Sequence, residues 1–370
     1  MSILIVSVIL LLFYVLLISI YHIGWILIPY HKNRPPQTRL KFSILVPVRN
    51  EEKYIHQCLS SLIKQQYSGA FEILVIDDYS TDKTVQVVEA FIKSNPSYHI
   101  QLYQLSKYPN AKEVKKAAIT FGVSKSQFDY IILTDADCVR GENWLKTIHS
   151  FVEEKQSKMI YAPVMFNAEN TFERIQALEF SGLVAIGGAA IRLKNPNMCS
   201  AANLVFAKQT FQEVGGYNGN ENIASGDDEF LLHKVFKAYP QGVHFLKHKD
   251  AIVYTTSNGS LKQLAEQRKR WVSKSTKYEN RYITAILVAA YLFNLSLIIN
   301  LFLNFYTGLL LLGVKTLVEG VFLFNVMGFF NKRKYLLLLP IAEIFHILYV
   351  IIIGIWANTT TYQWKERELK

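Results

Sequence analysis

The chain has 370 residues, a formal net charge of +11 and 51% hydrophobic residues, with a mean hydropathy of +0.15. That apolar content is high for a purely soluble protein, and the length allows one large domain or two. The basic excess raises nucleic acid as a partner, but the Lys and Arg residues gather beside long apolar stretches, where anionic headgroups attract them, and no nucleic-acid module accompanies them.

Residues 3 to 29 carry no Asp, Glu, Lys or Arg. At about 1.5 Å of rise per residue, a helix of that length exceeds the roughly 30 Å hydrocarbon core. A cleaved signal peptide is the weaker reading, because no basic stretch precedes the apolar run and no small-residue cleavage site follows it. His31, Lys32, Arg34, Arg39 and Lys41 come next, so by the positive-inside rule the following part is cytoplasmic. Pro35-Pro36 makes a stiff exit from the membrane.

Phe42 to Val48 reads as a buried strand, followed by the polar loop Arg49-Asn50-Glu51 and a helix with apolar residues at 55, 59, 62 and 63. Phe71 to Ile76 is the second strand, ending in Asp77-Asp78-Tyr79-Ser80-Thr81-Asp82. Capping of the next helix accounts for Ser80, Thr81 and Asp82. It does not account for Asp77 and Asp78, two adjacent carboxylates that repel unless a cation or donor sits between them. A third strand spans 99–105. Lys112 to Ala118 opens a helix whose lysines oppose its dipole, so they are either solvated or one of them faces a phosphate.

The fourth strand, Tyr130 to Leu133, runs out into Asp135-Ala136-Asp137. Ligands of open α/β sheets collect at the carboxyl ends of strands. Two close carboxylates there suit a hard divalent ion that keeps waters and borrows ligands from phosphate; ordinary turn chemistry is the bland alternative. The alternation of strands and helices implies a mostly parallel sheet with helices on both faces. No Gly-rich phosphate loop is present, so metal and side chains must handle phosphate.

Residues 159–164 read as a strand, 171–190 as a helix and 198–206 as a strand of small residues. Gly226-Asp227-Asp228-Glu229, preceded by Ser225, places three carboxylates ahead of an apolar helix. They serve either as an acidic first turn or as a general base facing a sugar. Residues 260–271 form a helix that is basic on one side, suited to the membrane interface or to diphosphate. Three further spanning segments follow near 283–304, 307–329 and 335–357, and the basic cluster Lys332 to Lys334 flanks a cytoplasmic end. Lys315 and Glu319 lie four residues apart on one face of the middle segment; an intramembrane ionisable pair is partnered or functional, unless this segment is shallow or re-entrant. Cys58, Cys138 and Cys199 have no paired metal spacing and read as small apolar residues in a reducing compartment.

Pro47-Val48-Arg49-Asn50-Glu51, Asp77-Asp78 with Ser80 and Asp82, Lys115-Lys116-Ala117-Ala118, Asp135-Ala136-Asp137, Gly226-Asp227-Asp228-Glu229 and Gln267-Arg268-Lys269-Arg270-Trp271 stand in the order and approximate spacing of a known family. Over residues 42 to about 275 the chain resembles the membrane-bound family 2 glycosyltransferases. The resemblance implies a GT-A nucleotide-sugar-binding fold and inverting transfer of a sugar from a nucleotide donor, with UDP favoured by the family's habit. It implies that Pro47, Asn50, Glu51, Asp77 and Asp78 hold base and ribose, that Lys115 lies near the nucleotide, and that Asp135 and Asp137 contact the sugar nucleotide and its Mg2+ or Mn2+, Asp137 directly. Asp228 matches the catalytic base, with Asp227 beside it. Gln267, Arg270 and Trp271 match the motif at the acceptor mouth, and Arg268 or Arg270 suits the departing diphosphate. Val114 stands where a glycine is usual, and Asp227 where glutamate is common.

The expected organisation is a membrane helix over 1–30, a catalytic domain over 40–258, an interface helix over 259–281, spanning helices over 282–358 and a short outer tail over 359–370. The expected partners are a nucleotide-sugar donor, a lipid or lipid-linked acceptor and the cell membrane, with no nucleic acid and no protein partner. A processive polysaccharide synthase is the alternative within enzymes, although four spanning segments are few for a polymer channel; a non-catalytic membrane scaffold is the alternative outside them.

Overall fold

The structure, a computed structural model, describes residues 2–108, 114–219, 226–273, 281–356, 362–364 and 367–369. Lys112, Glu113, Ser225 and half of the tail after residue 358 lie outside the described residues. In chain order the first elements are α1 (Ser2–Leu27), β1 (Phe42–Val48), α2 (Ile55–Ile63), β2 (Phe71–Asp77), α3 (Thr84–Ser94), β3 (Ile100–Gln104) and α4 (Lys115–Lys125). Then come β4 (Tyr130–Leu133), β5 (Val139–Arg140), α5 (Trp144–Lys155), β6 (Met159–Tyr161), β7 (Val164–Asn167), α6 (Thr171–Arg192), β8 (Leu204–Ala207) and α7 (Lys208–Glu213). The last are α8 (Asp227–Ala238), β9 (Val243–Phe245), β10 (Val253–Thr256), α9 (Leu261–Ser273), α10 (Arg281–Leu303), α11 (Phe305–Phe329) and α12 (Leu339–Trp356).

Two compact units divide the chain. The sheet unit comprises Ile28–Asn167 and Ala190–Thr256. Its seven-stranded sheet has the order β3-β2-β1-β4-β8-β6-β9. β1 pairs in parallel with β2 and β4, and β2 with β3; β8 runs antiparallel between β4 and β6. All seven residues of β1 are buried, the near-continuous apolar run that a strand covered on both faces requires. A smaller sheet has the order β5-β10-β7. Trp144, fully buried, donates from Nε1 to Asn203 Oδ1 at 3.1 Å, and Arg140 stacks over its ring at 5.2 Å. Asn203 donates in turn to the carbonyls of Pro163 and Ala251, both at 2.8 Å.

Most expected elements are present with shifted ends, but the strand expected over 159–164 is two strands, β6 in the large sheet and β7 in the small one. α2 starts at Ile55, after a turn, rather than at the polar loop. The expected strand over 198–206 is a short 3-10 turn, Ala201–Asn203, leading into β8. α3 has Lys83 at its N-cap with no side-chain cap bond; Asp82 Oδ1 instead accepts from Thr84 N and Oγ1, at 2.9 and 2.5 Å. Ser80 and Thr81 bind the first loop rather than the helix end, as described below.

The helical unit comprises Met1–Leu27, Ala168–Ala189 and Ser257–Lys370. Among the described residues, five helices are long and apolar enough to cross a membrane: the four expected from sequence and α6. The structure thus draws the boundary differently from the single expected block over 40–258, because residues 168–189 cluster with the apolar helices. Polar contacts tie these helices together. Asn300 on α10 donates to Ser7 on α1 at 2.8 Å. Lys315 on α11, fully buried, pairs with Glu319 at 2.6 Å and with Glu343 on α12, while the Tyr14 hydroxyl donates to Glu319. Gly308 lets α11 fold back on α10, since a Cβ there would sit 2.5 Å from Leu301 N.

Candidate active site

The parallel strands β2, β1 and β4 end on the same edge of the sheet, and their ends and the loops after them carry Pro47, Asn50, Glu51, Asp77, Asp78, Asp135 and Asp137. Two of these loops are stitched together. Asn50 N donates to Ser80 Oγ at 3.0 Å, Thr81 N to Asn50 Oδ1 at 2.8 Å, and Glu51 N to Thr84 Oγ1 at 2.7 Å. Asn50 and Tyr79 both adopt left-handed backbone, at φ 52° and 58°, a conformation tolerated by Asn and uncommon for Tyr. Asp77 and Asp78 are each 2% exposed. The cation expected near them is Arg49, whose Nη1 donates to the carbonyls of Asp78 at 2.8 Å and Tyr79 at 3.1 Å. Burial pushes the Asp77 carboxyl above its usual range, against the Ser80 hydrogen bonds and Arg49. Pro47 sits within β1 opposite Ile76.

The centre lies two strands from Asp77, roughly 10 Å at the usual strand spacing. Thr134 fixes the end of β4, donating from Oγ1 to Ala202 O at 2.9 Å and from N to Leu45 O at 3.1 Å. Asp135 and Asp137 follow, both half-buried. Lys115, the first residue of α4, places its Nζ 2.7 Å from Asp135 Oδ1 and 3.5 Å from Asp227 Oδ2. Burial alone would lower the Lys115 pKa, but the Asp135 and Asp227 carboxylates override it and hold it above its usual value. The ammonium therefore stays charged, and the helix-start lysine is pinned between two carboxylates from distant parts of the chain rather than solvated.

α8 begins at Asp227 on a left-handed Gly226, φ 79°, where a Cβ would be strained. Of its three acidic residues, Asp227 and Glu229 are buried, at 9% and 6% exposure, and Asp228 is half-buried. Asp228 is held by backbone donors, Ala201 N to Oδ2 at 3.2 Å and Glu229 N to Oδ1 at 2.9 Å. Tyr217, 4% exposed, lies close enough to Asp227 and Asp228 that their charges add to burial in raising its pKa far above normal.

Two residues escape a sequence reading. Thr255 and Thr256 donate from their hydroxyls to Asp137 Oδ2, each at 2.8 Å. Nothing in a Thr-Thr pair far downstream signals this; the pairing of β10 with β5 creates it. Arg140 also stiffens the loop, donating from Nη2 to Thr134 Oγ1 at 3.0 Å and Cys138 O at 2.8 Å.

Asp135 and Asp137 fit a divalent ion only in part. Among the described residues no group of three or more His, Cys, Asp or Glu could cage one. Two half-buried carboxylates suit Mg2+ or Mn2+ that completes its shell with water and a diphosphate, not an ion held by protein alone.

The other candidate residues belong to the helical unit. Arg268, 3% exposed, donates to Glu179 Oε2 at 2.8 Å and stacks on Trp271 at 4.3 Å; the Tyr349 hydroxyl also donates to Glu179. Gln267 Oε1 accepts from Asn258 Nδ2 at 2.9 Å and from Arg268 Nη1 at 2.7 Å. Arg268 is the buried residue of α9, and its guanidinium is taken up by Glu179.

A family model described as glycosyl transferase family 2 matches residues 43–215, and one described as glycosyl transferase family group 2 matches residues 130–358. A dolichyl N-acetyl-alpha-D-glucosaminyl phosphate 3-beta-D-2,3-diacetamido-2,3-dideoxy-beta-D-glucuronosyltransferase of Methanococcus voltae is 26% identical over 53% of this chain and 63% of its own length. The poly-beta-1,6-N-acetyl-D-glucosamine synthase of Staphylococcus epidermidis is 23% identical over 70% of this chain and 63% of its own. The chain spans 20% to 66% of the length of the first curated relatives it matches. The mannosyltransferase of Pyrobaculum calidifontis, solved with GDP-mannose and Mn2+, superposes with a TM-score of 0.57 at 15% identity, covering 94% of this chain and 99% of that one. At that identity the likeness speaks for the fold, which is GT-A. The second family model covers well over half the chain, and the acidic centre at the sheet edge falls within it: the chain belongs to the family 2 glycosyltransferases.

Proposed function

We propose that the protein transfers a sugar, with inversion, from a nucleoside-diphosphate donor to a lipid or lipid-linked acceptor at the cytoplasmic face of a membrane, with Asp228 as general base. The observation that carries this reading is the bridge made by Lys115 between Asp135 and Asp227, which gathers the strand-end carboxylates and the start of α8 into one centre. Within that centre Asp228 is the α8 acid left accessible while its neighbours are buried.

Asp228 takes the proton of the acceptor hydroxyl as that oxygen attacks C1 of the sugar, and the bond from C1 to the diphosphate breaks with its electron pair going to the leaving group. Ala201 N and Glu229 N keep the carboxylate aimed while this happens. Lys115 holds Asp135 and Asp227 in place, and Asp77, Asp78, Asn50 and Glu51, with Pro47 behind them, form the nucleoside end. A bound Mg2+ or Mn2+, held by Asp137 and Asp135, would neutralise charge on the diphosphate. Gln267, Arg270 and Trp271 are assigned to the acceptor side on the family resemblance.

The five apolar helices and the basic residues beside them support a membrane setting. A relative named for a dolichyl-phosphate-linked acceptor supports single transfer, and one named as a polymer synthase supports processive synthesis. The few helices favour the former, and a short product on a gel, not a ladder of long chains, is the expected result.

The deciding variant is Asp228→Asn, which keeps the size and, through its one carbonyl oxygen, one of the two backbone contacts. It is expected to lower kcat by about 10²- to 10⁴-fold while the thermal unfolding temperature stays put. Wild-type turnover in this variant would remove Asp228 as the base.

A further inference from the structure

We propose that Thr255 and Thr256 are positioning residues that hold Asp137 as a one-oxygen ligand and so bias the centre toward small octahedral cations over Ca2+. This rests on the proposed role of the Asp135–Asp137 pair toward a divalent ion.

The strand register explains how two threonines so far downstream arrive there. β10 runs antiparallel to β5 with Val253 opposite Arg140 and Tyr254 opposite Val139. Continued by two residues, that register sets Thr255 beside Cys138 and Thr256 beside Asp137. Neighbouring residues of a strand point to opposite faces, so two adjacent hydroxyls meeting on one oxygen place the carboxylate at the strand edge, between the faces. Both bonds, each 2.8 Å, end on Oδ2.

Each carboxylate oxygen has about two lone-pair sites, and the hydroxyls fill those of Oδ2. Oδ1 meets the Cys138 thiol at 3.7 Å, too long for a strong bond, and is the oxygen left to a cation. On the partner carboxylate, Lys115 engages Asp135 Oδ1 at 2.7 Å. Each aspartate thus offers one oxygen. Mg2+ and Mn2+ accept single oxygens in a near-octahedral shell, whereas Ca2+ takes more ligands, often both oxygens of a carboxylate. The hydroxyls are not needed merely to satisfy Asp137. The carboxylate is half-buried and open to water, so two fixed donors, one from a residue only 8% exposed, supply orientation instead.

Valine matches threonine in shape and lacks the hydroxyl, which makes Thr255→Val, Thr256→Val and the double variant the direct test, with Thr→Ser replacements as the hydroxyl-retaining control. Mn2+ is titrated against the purified full-length protein by the free-ion EPR signal, with and without UDP or GDP, and Ca2+ is then added as competitor. Thermal unfolding without metal monitors the fold, and the single Thr256→Val variant, at the more exposed position, stands in if the double variant unfolds. Loss of an outer-shell partner typically costs 10- to 100-fold in metal affinity. The expected result is a loss of that size in the valine variants, a Ca2+-to-Mn2+ affinity ratio that rises, and recovery of both in the serine variants. Unchanged Mn2+ affinity and an unchanged ratio in the valine variants overturn the proposal and leave the transferase reading standing. A wild-type protein that transfers sugar but binds no Mn2+ also overturns it. Failure of sugar transfer in the wild type sinks the transferase reading, while the titration still decides the role of the threonines.

Discussion

Lys115 is one ammonium serving two carboxylates, and its position at the first turn of α4 explains why a helix begins with a residue that opposes its dipole. The unfavourable end charge is outweighed by ion pairs at 2.7 and 3.5 Å, since an opposite charge within about 4–6 Å is worth more than a helix-end effect of some tenths of a kcal/mol. Val114, where the family usually has glycine, does not disturb this: it takes extended backbone, φ −149°, which a β-branched residue adopts readily. A second residue gives a pH signature. His244 on β9 accepts or donates a 2.9 Å bond with Ser157, and burial, helped by Lys194 and Lys155, pushes its pKa down from 6.5 to about 4. Between those values the unfolded chain binds a proton that the folded chain refuses, so stability falls as pH drops through that window. In His244→Gln the acid loss of unfolding temperature between pH 7 and 4.5 should be smaller than in the wild type; parallel acid slopes would refute this.

The elements that carry recognition, β1 with its loop, β2 with its two aspartates, and β4 with the Asp135–Asp137 pair, were legible because each is a local signal: a buried apolar run ending in acid. β10 was not. Four residues of unremarkable composition acquire their role only by lying beside β5. α6 was misplaced for a related reason. From sequence it reads only as a helix inside the block 40–258, but Glu179 is matched by Arg268 at 2.8 Å and the remainder is apolar enough to pack with the long helices. Lys315, legible as costly, is explained by Glu319 and by Glu343 on α12, a partner invisible at helical spacing. Removing one member of a buried charge set typically costs about 3–5 kcal/mol. Lys315→Met should therefore destabilise the protein in detergent by that order, and the triple change Lys315→Met, Glu319→Gln, Glu343→Gln should recover most of it. A triple variant no more stable than the single one would show that the charges are not balanced as described.

At the scale of the whole molecule, a sheet unit holds the acidic centre and a helical unit holds α9 with its basic-aromatic motif, and the high apolar content of the sequence is accounted for by the five long helices. The order of motifs along the chain carries across this division and identifies the family. The donor and acceptor are set by pocket shape, which no run of residues encodes. Nevertheless, the central claim, that carboxylates gathered by Lys115 turn over a nucleotide sugar with the help of a divalent ion, is open to one direct measurement. Membranes containing the protein are incubated with a panel of labelled nucleotide sugars, with Mn2+ or with EDTA, and label reaching the lipid fraction is counted. The account predicts transfer from one donor, loss with EDTA and recovery when Mn2+ is restored. Undiminished transfer in EDTA, or transfer from none of the donors, would contradict it.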